Sequence, residues 1–164
     1  MADELSLGGI EHTTFASFAG VVALPPGRAL ARFKQITPAQ LGQVTFLALN
    51  PEDGSRHRLE LAQAEHGVQL RVAAHTPYAA DVCEMALRGP GVGLVNPITA
   101  LDCAERGLVV RKLSINVNFA CVLALPAGRM LSGTAKQLLS VMRKQLAKDE
   151  QRLKKFLNPL NASA

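Results

Sequence analysis

An apolar run halted by a Pro-x-Gly-Arg turn occurs twice in this chain, as Ala19-Gly-Val-Val-Ala-Leu-Pro-Pro-Gly-Arg28 and as Ala120-Cys-Val-Leu-Ala-Leu-Pro-Ala-Gly-Arg129. Each run reads as a strand. Proline lacks the amide that a sheet ladder needs and glycine permits the reversal, so each strand ends at a defined point. The sequence between the copies alternates strand and helix signals, which predicts one α/β lobe set between two flanking strands. That arrangement suggests a hinged, two-lobed binding protein more than a compact enzyme.

With 164 residues, 48% of them hydrophobic, the chain can bury a sizeable core, and wholesale disorder is excluded. No apolar stretch is long enough to cross a bilayer, and Met1-Ala-Asp-Glu-Leu5 lacks the layout of a signal peptide, so the expectation is a soluble, cytoplasmic protein with no membrane partner. Cys83, Cys103 and Cys121 have neither metal-cage nor redox-pair spacing. All three read as small buried hydrophobes. His12, His57, His66 and His75 are dispersed, so neither a metal nor another cofactor is expected.

The net charge of +5 is concentrated at one end, in Lys136, Arg143, Lys144, Lys148, Arg152, Lys154 and Lys155. A helical apolar stripe runs through Ala135, Leu138, Leu139, Met142 and Leu146 and resumes at Leu153, Phe156 and Leu157. Ser132 or Thr134 would cap this helix and Asn158-Pro159 would end it. The segment reads as an amphipathic terminal helix packed by its apolar face with its lysines in water; an anion or nucleic-acid contact is the other reading.

Between the two runs, strands are predicted over 44–49, 68–74 and 92–95, and helices over 55–66, 77–88 and 97–106, before Leu108-Val-Val110 leads back out. Three strand ends share one pattern: Leu49-Asn50-Pro51, His75-Thr76-Pro77 and Val95-Asn96-Pro97. Each reads as a strand, an N-cap residue and a proline at the first helical position. Taken singly these are good helix starts. Together they would line the carboxyl edge of one sheet with helix N-termini, the place where open α/β sheets bind ligands and where anions are favoured. A small anionic or zwitterionic ligand is the inference. Gly89-Pro-Gly91-Val-Gly93 follows a helix and opens a strand, the reverse of a dinucleotide fingerprint, so it reads as a tight turn with Gly89 as a left-handed cap. Asp81 and Glu84 have the spacing of an ordinary solvent-facing pair, and no catalytic constellation is present in the sequence.

Several segments resemble the effector-binding domains of LysR-type transcriptional regulators, over about Asp3 to Gln145. Asp3-Glu-Leu-Ser-Leu-Gly8 is similar to the family's Asp-Leu-Gly-Ile strand, and Leu24-Pro-Pro-Gly-Arg-Ala-Leu-Ala31 to its Pro-Pro-Gly-His-Pro-Leu-Ala turn. Arg88-Gly-Pro-Gly-Val-Gly-Leu-Val-Asn-Pro97 resembles the Gly-x-Gly-Ile-x-x-x-Pro segment, and Glu105-Arg-Gly-Leu-Val-Val-Arg111 the strand returning to the first lobe. Asp53-Gly54-Ser55 and Val95 to Leu101 look most like regulators that sense opines or basic amino acids.

The resemblance implies a periplasmic-binding-protein-like α/β fold, one complete Rossmann-like lobe plus an incomplete second lobe joined by two crossover strands. The complete lobe would span about 24–108, the remnant lobe about 3–23 and 109–148, and a basic tail 149–164. Asn50, Pro51, His75, Thr76, Asn96 and Pro97 would bind a small-molecule inducer, an amino acid, opine or carboxylate. Gly20, Val21, Val22 and Ala23 with Leu108, Val109 and Val110 would form the hinge. Ligand closure would then shift the population of states and rearrange subunits.

The resemblance also implies truncation on the N-terminal side. No winged helix-turn-helix or linker helix is recognised, so no direct DNA binding is expected, and the chain opens at what resembles the third strand of the first lobe. A remnant lobe built from Glu4 to Leu7, the crossover strands, Asn116 to Leu125 and the terminal helix would leave apolar surface uncovered. The expected partner is a second copy or an intact regulator subunit. The other reading is an interaction or dimerisation module, or a vestigial regulator fragment, that binds no ligand.

Overall fold

The computed structural model describes residues 9–128 and 130–157. The expectations that rest on Asp3 to Gly8, on Arg129 and on Asn158-Pro159 lie outside them.

The elements in chain order are β1 (Ile10–Ala19), β2 (Val21–Leu24), a 3-10 turn (Ala29–Arg32), β3 (Gln35–Ile36), α1 (Pro38–Gly42), β4 (Thr45–Leu49), α2 (Gly54–Glu65), β5 (Arg71–Thr76), α3 (Ala79–Leu87), β6 (Gly93–Val95), α4 (Pro97–Glu105), β7 (Val109–Leu113), β8 (Asn118–Pro126) and α5 (Gly133–Leu157). The strand and helix alternation read from the sequence is present. Its boundaries differ most at β5, which starts at Arg71, and at α3, which starts at Ala79.

Strands β3, β7, β2 and β6 form one sheet in that order, and β4 pairs with β5. A parallel bridge between Phe46 and Val92, with Leu47 N–H donating to the Val92 carbonyl at 2.7 Å, joins the two into a continuous surface ordered β5-β4-β6-β2-β7-β3. Only β2 runs against its neighbours, so the sheet is mainly parallel, as the alternation predicts. Helices cover both faces. Val21, Ala23, Leu47, Leu49 and Val95 pack with Val82, Cys83, Ala86, Ala100 and Cys103 of α3 and α4. Val22, Leu24, Phe46, Ala48 and Leu94 pack on the other side with Leu41 of α1 and Leu59 of α2. A strand buried on both faces must be apolar at every position, which is why Val21 to Leu24 reads as an unbroken run.

Two glycines make the layers fit. A Cβ on Gly93 would lie 2.2 Å from the Val82 Cγ1 and 2.7 Å from the Leu47 carbonyl oxygen, so α3 can reach the sheet only over glycine. Gly89, at φ 98°, ends α3 in the left-handed cap that the turn sequence predicts.

The second apolar run has a different setting. Among the described residues β8 pairs only with β1, antiparallel from Asn118↔Ala19 to Pro126↔Ile10, with Phe15 as the extra residue of a bulge. This two-stranded ribbon is largely exposed. The run from Ala19 is also not one strand, because it breaks at Gly20. A Cβ there would meet the Phe119 ring at 2.8 Å and the Val117 carbonyl oxygen at 3.0 Å, and the Gly20 N–H donates to that carbonyl at 2.7 Å.

The two segments expected as crossovers lie next to each other in the sheet. The crossover segments expected at 20–23 and 108–110 are, apart from Gly20, the core of the lobe itself: β2 and β7 lie side by side in register Val21↔Lys112 to Leu24↔Val109. The chain passes between lobe and ribbon at Gly20 and through residues 114–117. The reason is that Val21 to Leu24 can be covered on both faces only inside the sheet.

The terminal helix corrects two expectations. Residues 149–157 form its last turns and not a tail. Its apolar face is packed in part: at the C-terminal end Phe156 and Leu157 rest on the lobe, and Arg152 pairs with Glu105 at 2.8 Å. Nearer its start Ala135, Leu139 and Leu146 are half-buried and the Arg143 guanidinium lies 6.0 Å from the centre of the Phe15 ring of β1, whereas Leu138 and Met142 of the stripe, and Val141 beside it, are 60%, 41% and 61% exposed. Ser132 caps the helix start, its hydroxyl accepting from the Ala135 N–H at 3.2 Å.

Candidate functional site

Strands β4, β5, β6 and β7 all run the same way, so their carboxyl ends at Leu49, Thr76, Val95 and Leu113 share one edge, and β2 begins there. The residues that follow these ends are therefore neighbours although they are far apart in sequence. Asn50, Thr76 and Asn96 are brought to this edge as expected, and register Val21↔Val95 sets Gly20 beside Asn96.

Only one of the three shared motifs is the helix start it resembles. Asn96 accepts from the Ile98 N–H at 2.9 Å, and Pro97 is the first residue of α4. At Asn50-Pro51 the chain makes a turn first: the Asn50 carbonyl accepts from the Asp53 N–H at 3.0 Å, and Asp53 is the true cap of α2, its carboxylate accepting from the N–H groups of Ser55 and Arg56 at 2.8 and 3.2 Å. At Thr76-Pro77 the helix begins after Tyr78, which makes no side-chain cap. The Thr76 hydroxyl accepts from the Tyr78 N–H at 3.2 Å and donates to the Asp81 carboxylate at 2.7 Å.

The electrostatics shift with this. Asp53 sits on the α2 N-terminus and Asp81 lies in the first turn of α3, so both helix ends already hold a carboxylate of the chain. The first turn of α4 has no acidic residue, and its cap is the neutral Asn96. Of the three, it is the helix end most open to an anion.

Two groups at this edge escape the sequence reading. Arg56 looks like one half of a surface i,i+4 pair with Glu60, yet only 8% of its side chain is exposed. Its Nε donates to Glu60 at 2.7 Å, and its NH1 donates to the Leu49 carbonyl at 2.9 Å and faces Nδ1 of the exposed His75 at 3.2 Å. The other group lines a cavity of about 270 Å³ where lobe and ribbon meet, bounded by Ala19 to Val21, Lys112 to Asn116 and Leu157. Lys112 brings a cation to it, and Ser114 and Asn116 bring hydrogen-bonding groups. No motif announces these residues, because only the return of β7 alongside β2 puts them there.

On the far side of α3 the titratable groups serve packing. Glu84 and Arg106 form an ion pair, and Arg106 also donates to the Cys103 sulfur at 2.9 Å. The hydrogen bond from Arg106 holds the Glu84 carboxyl below its ordinary range, against the opposing effect of burial. Burial pushes the Cys83 thiol up to about 12 and raises that of Cys103 as well, so neither is an activated nucleophile. Cys83 and Cys103 are buried as expected, whereas Cys121, on the ribbon strand β8, is exposed. Among the described residues no group of three or more His, Cys, Asp or Glu side chains could hold a metal ion, and no helix is long and apolar enough to cross a membrane.

Comparison with known proteins adds the lineage. The family described as LysR substrate binding domain matches residues 1–147. The chain is 41% identical over 121 residues to the transcriptional activator protein LysR of Escherichia coli (strain K12), covering 74% of this chain and 39% of that protein. It is 27% identical over 139 residues to the regulatory protein NocR of Agrobacterium tumefaciens (strain T37), covering 82% of this chain and 46% of that one. The chain thus spans less than half the length of these relatives. Among solved structures it is similar to the effector binding domain of QuiR in complex with shikimate, with a TM-score of 0.67, 13% identity, and coverage of 89% of this chain and 69% of that chain. At that identity the likeness speaks for the fold, which is the periplasmic-binding-protein-like fold of such regulatory domains.

Proposed function

We propose that this chain, which belongs to the LysR substrate-binding domain family, senses a small anionic or zwitterionic inducer at the carboxyl edge of its sheet. The observation that carries the reading is that the α4 start at Asn96-Pro97, with no acidic residue in its first turn, the exposed His75 and the cavity lined by Lys112 all lie along this one edge. The positive end of the α4 dipole and a lysine attract the carboxylate of an amino acid, opine or simple acid. The chain acts as a regulatory binding domain in the cytoplasm, with a second copy or an intact regulator subunit as partner, and not as an enzyme.

The hinge in this reading is Gly20 with residues 114–117, where the chain leaves the sheet. A ligand that touches both the lobe and the ribbon side favours a closed state and shifts the population of conformers. Asn50, Pro51, Thr76 and Pro97 act mainly as framework at this edge, and His75, Asn96 and Lys112 present the polar contacts.

The test is a thermal-unfolding scan of the purified chain against amino acids, opines and small carboxylates. A binder selective for the native state adds about 2.7 kcal/mol at a hundredfold excess over its Kd, and the melting point rises in proportion. A compound-specific rise that is lost in Lys112→Met is the expected result. A cooperative melt moved by no compound turns the choice to the second reading, an interaction module. That reading is favoured by the exposed apolar residues Leu138, Val141 and Met142 on α5 and Ile10 and Val122 on the ribbon.

A further inference from the structure

We infer that Arg56 is a positioning residue that fixes the proton of His75 on Nε2, so that the His75 ring offers a ligand a hydrogen-bond donor and no acceptor. A guanidinium carries only donors and keeps its charge at any working pH. Nδ1 of His75, 3.2 Å from NH1 of Arg56, must therefore accept. A neutral imidazole that accepts at Nδ1 has its hydrogen on Nε2.

Arg56 is held firmly enough to impose this. Its Nε and NH2 are taken by Glu60, and of the two NH1 hydrogens one goes to the Leu49 carbonyl and the other is left for His75. The guanidinium is buried between α2 and the strand ends, while the imidazole is exposed. His66 shows the opposite case within the same chain. Its Nδ1 lies 2.8 Å from the Ala62 carbonyl oxygen, which can only accept, so its hydrogen must be on Nδ1.

The consequence for recognition rests on the proposed ligand site. With Nδ1 occupied, His75 meets a ligand through Nε2–H, which suits a carboxylate, phosphate or carbonyl oxygen and rejects an ammonium group at that point. A zwitterionic ligand is thereby oriented, its acid group toward β5 and its amine elsewhere.

The experiment is a long-range proton–nitrogen correlation spectrum of the full chain labelled with 15N-histidine, recorded above the titration range of histidine, with His75→Gln and His66→Gln for assignment. The expected spectrum shows His75 with Nδ1 at the unprotonated limit and Nε2 at the protonated limit, and His66 with the two reversed. Arg56→Met should move both His75 nitrogens toward the averaged values of free imidazole while leaving His66 in place, which also reports that the chain is still folded. Arg56→Lys, which restores a donor, should move them part of the way back. Glu60→Gln, which leaves the arginine itself intact but slackens its anchor, should give a smaller shift in the same direction. Averaged or reversed His75 nitrogens in the wild-type chain, or nitrogens indifferent to Arg56→Met, would overturn the inference. No ligand enters this measurement, so it stands or fails separately from the unfolding scan.

Discussion

Val21 to Leu24 of the first apolar run are 0 to 2% exposed, whereas Val122, the counterpart of Val21 in the second run, is 48% exposed. Nearly the same residues, stopped by the same kind of turn, thus end in opposite surroundings. β2 lies between β6 and β7 with helices over both faces; β8 has β1 beside it, and only its lobe end, at Phe119, is packed on the core clusters. The comparison teaches that a short apolar run encodes a strand and its end, and that burial is conferred by what the rest of the chain stacks against it.

Matched substitutions in the two runs give the largest test of that contrast. Leu24→Ala should cost about 2–5 kcal/mol in urea unfolding, the range for a large core side chain replaced in a packed interior. Leu125→Ala, at the equivalent and half-buried place, should cost less than about 1 kcal/mol. Equal losses would mean that the ribbon is as well packed as the lobe and would remove the distinction.

Thiol chemistry sharpens the comparison at three further positions. Exposed Cys121 on β8 should react with maleimide at pH 8 as a free thiol does, while Cys83 and Cys103 should label more than about 100-fold more slowly, at a pace set by opening of the lobe. Mass spectrometry of timed digests reads all three at once. The same burial has a pH signature: the folded state keeps the Cys83 proton between its ordinary 9.0 and about 12, where the unfolded chain has lost it. Stability is therefore full below that window and declines as the pH rises through it.

The smallest effect belongs to Glu84. Because the hydrogen bond from Arg106 depresses its folded pKa, its contribution is present above the ordinary carboxylate range and fades as pH falls through the folded value. Glu84→Gln should flatten a slight acid dependence of the melting point and leave the neutral-pH value nearly unchanged, given that the pair is partly exposed. A steep loss at neutral pH would instead make the Glu84, Arg106 and Cys103 cluster a keystone between α3 and α4.

Much of the lobe is legible in the order of the residues. The alternation of apolar runs with helical periods gives β4 through α4, the turn at Gly89 gives its left-handed cap, and Asn96-Pro97 gives a true capped helix start. The other two Pro-containing strand ends mislead because a proline two or three residues before a helix serves a turn as readily as a first turn of helix. Asp53 is the competitor that wins at α2: its carboxylate reaches two backbone amides, whereas Asn50 is too far upstream to do so. At the candidate site, His75 is identified from its place at a strand end. Arg56, Lys112, Ser114 and Asn116 are not, since a pair at i,i+4 spacing and a polar strand exit look the same whether they face water or a cavity.

What the sequence by itself determines here is local: where strands and helices begin and stop, and which family pattern their order follows. Those properties depend on φ restriction at proline, on glycine, and on side chains that bond amides two or three residues away. What only the tertiary structure decides is neighbourhood. The insertion of β2 between β6 and β7 puts Gly20 and Lys112 at the cavity, and the parallel pairing of β4 with β5 sets Arg56 against a histidine nineteen positions away. Such contacts come from closing long stretches of chain into one sheet, and no residue carries that information alone.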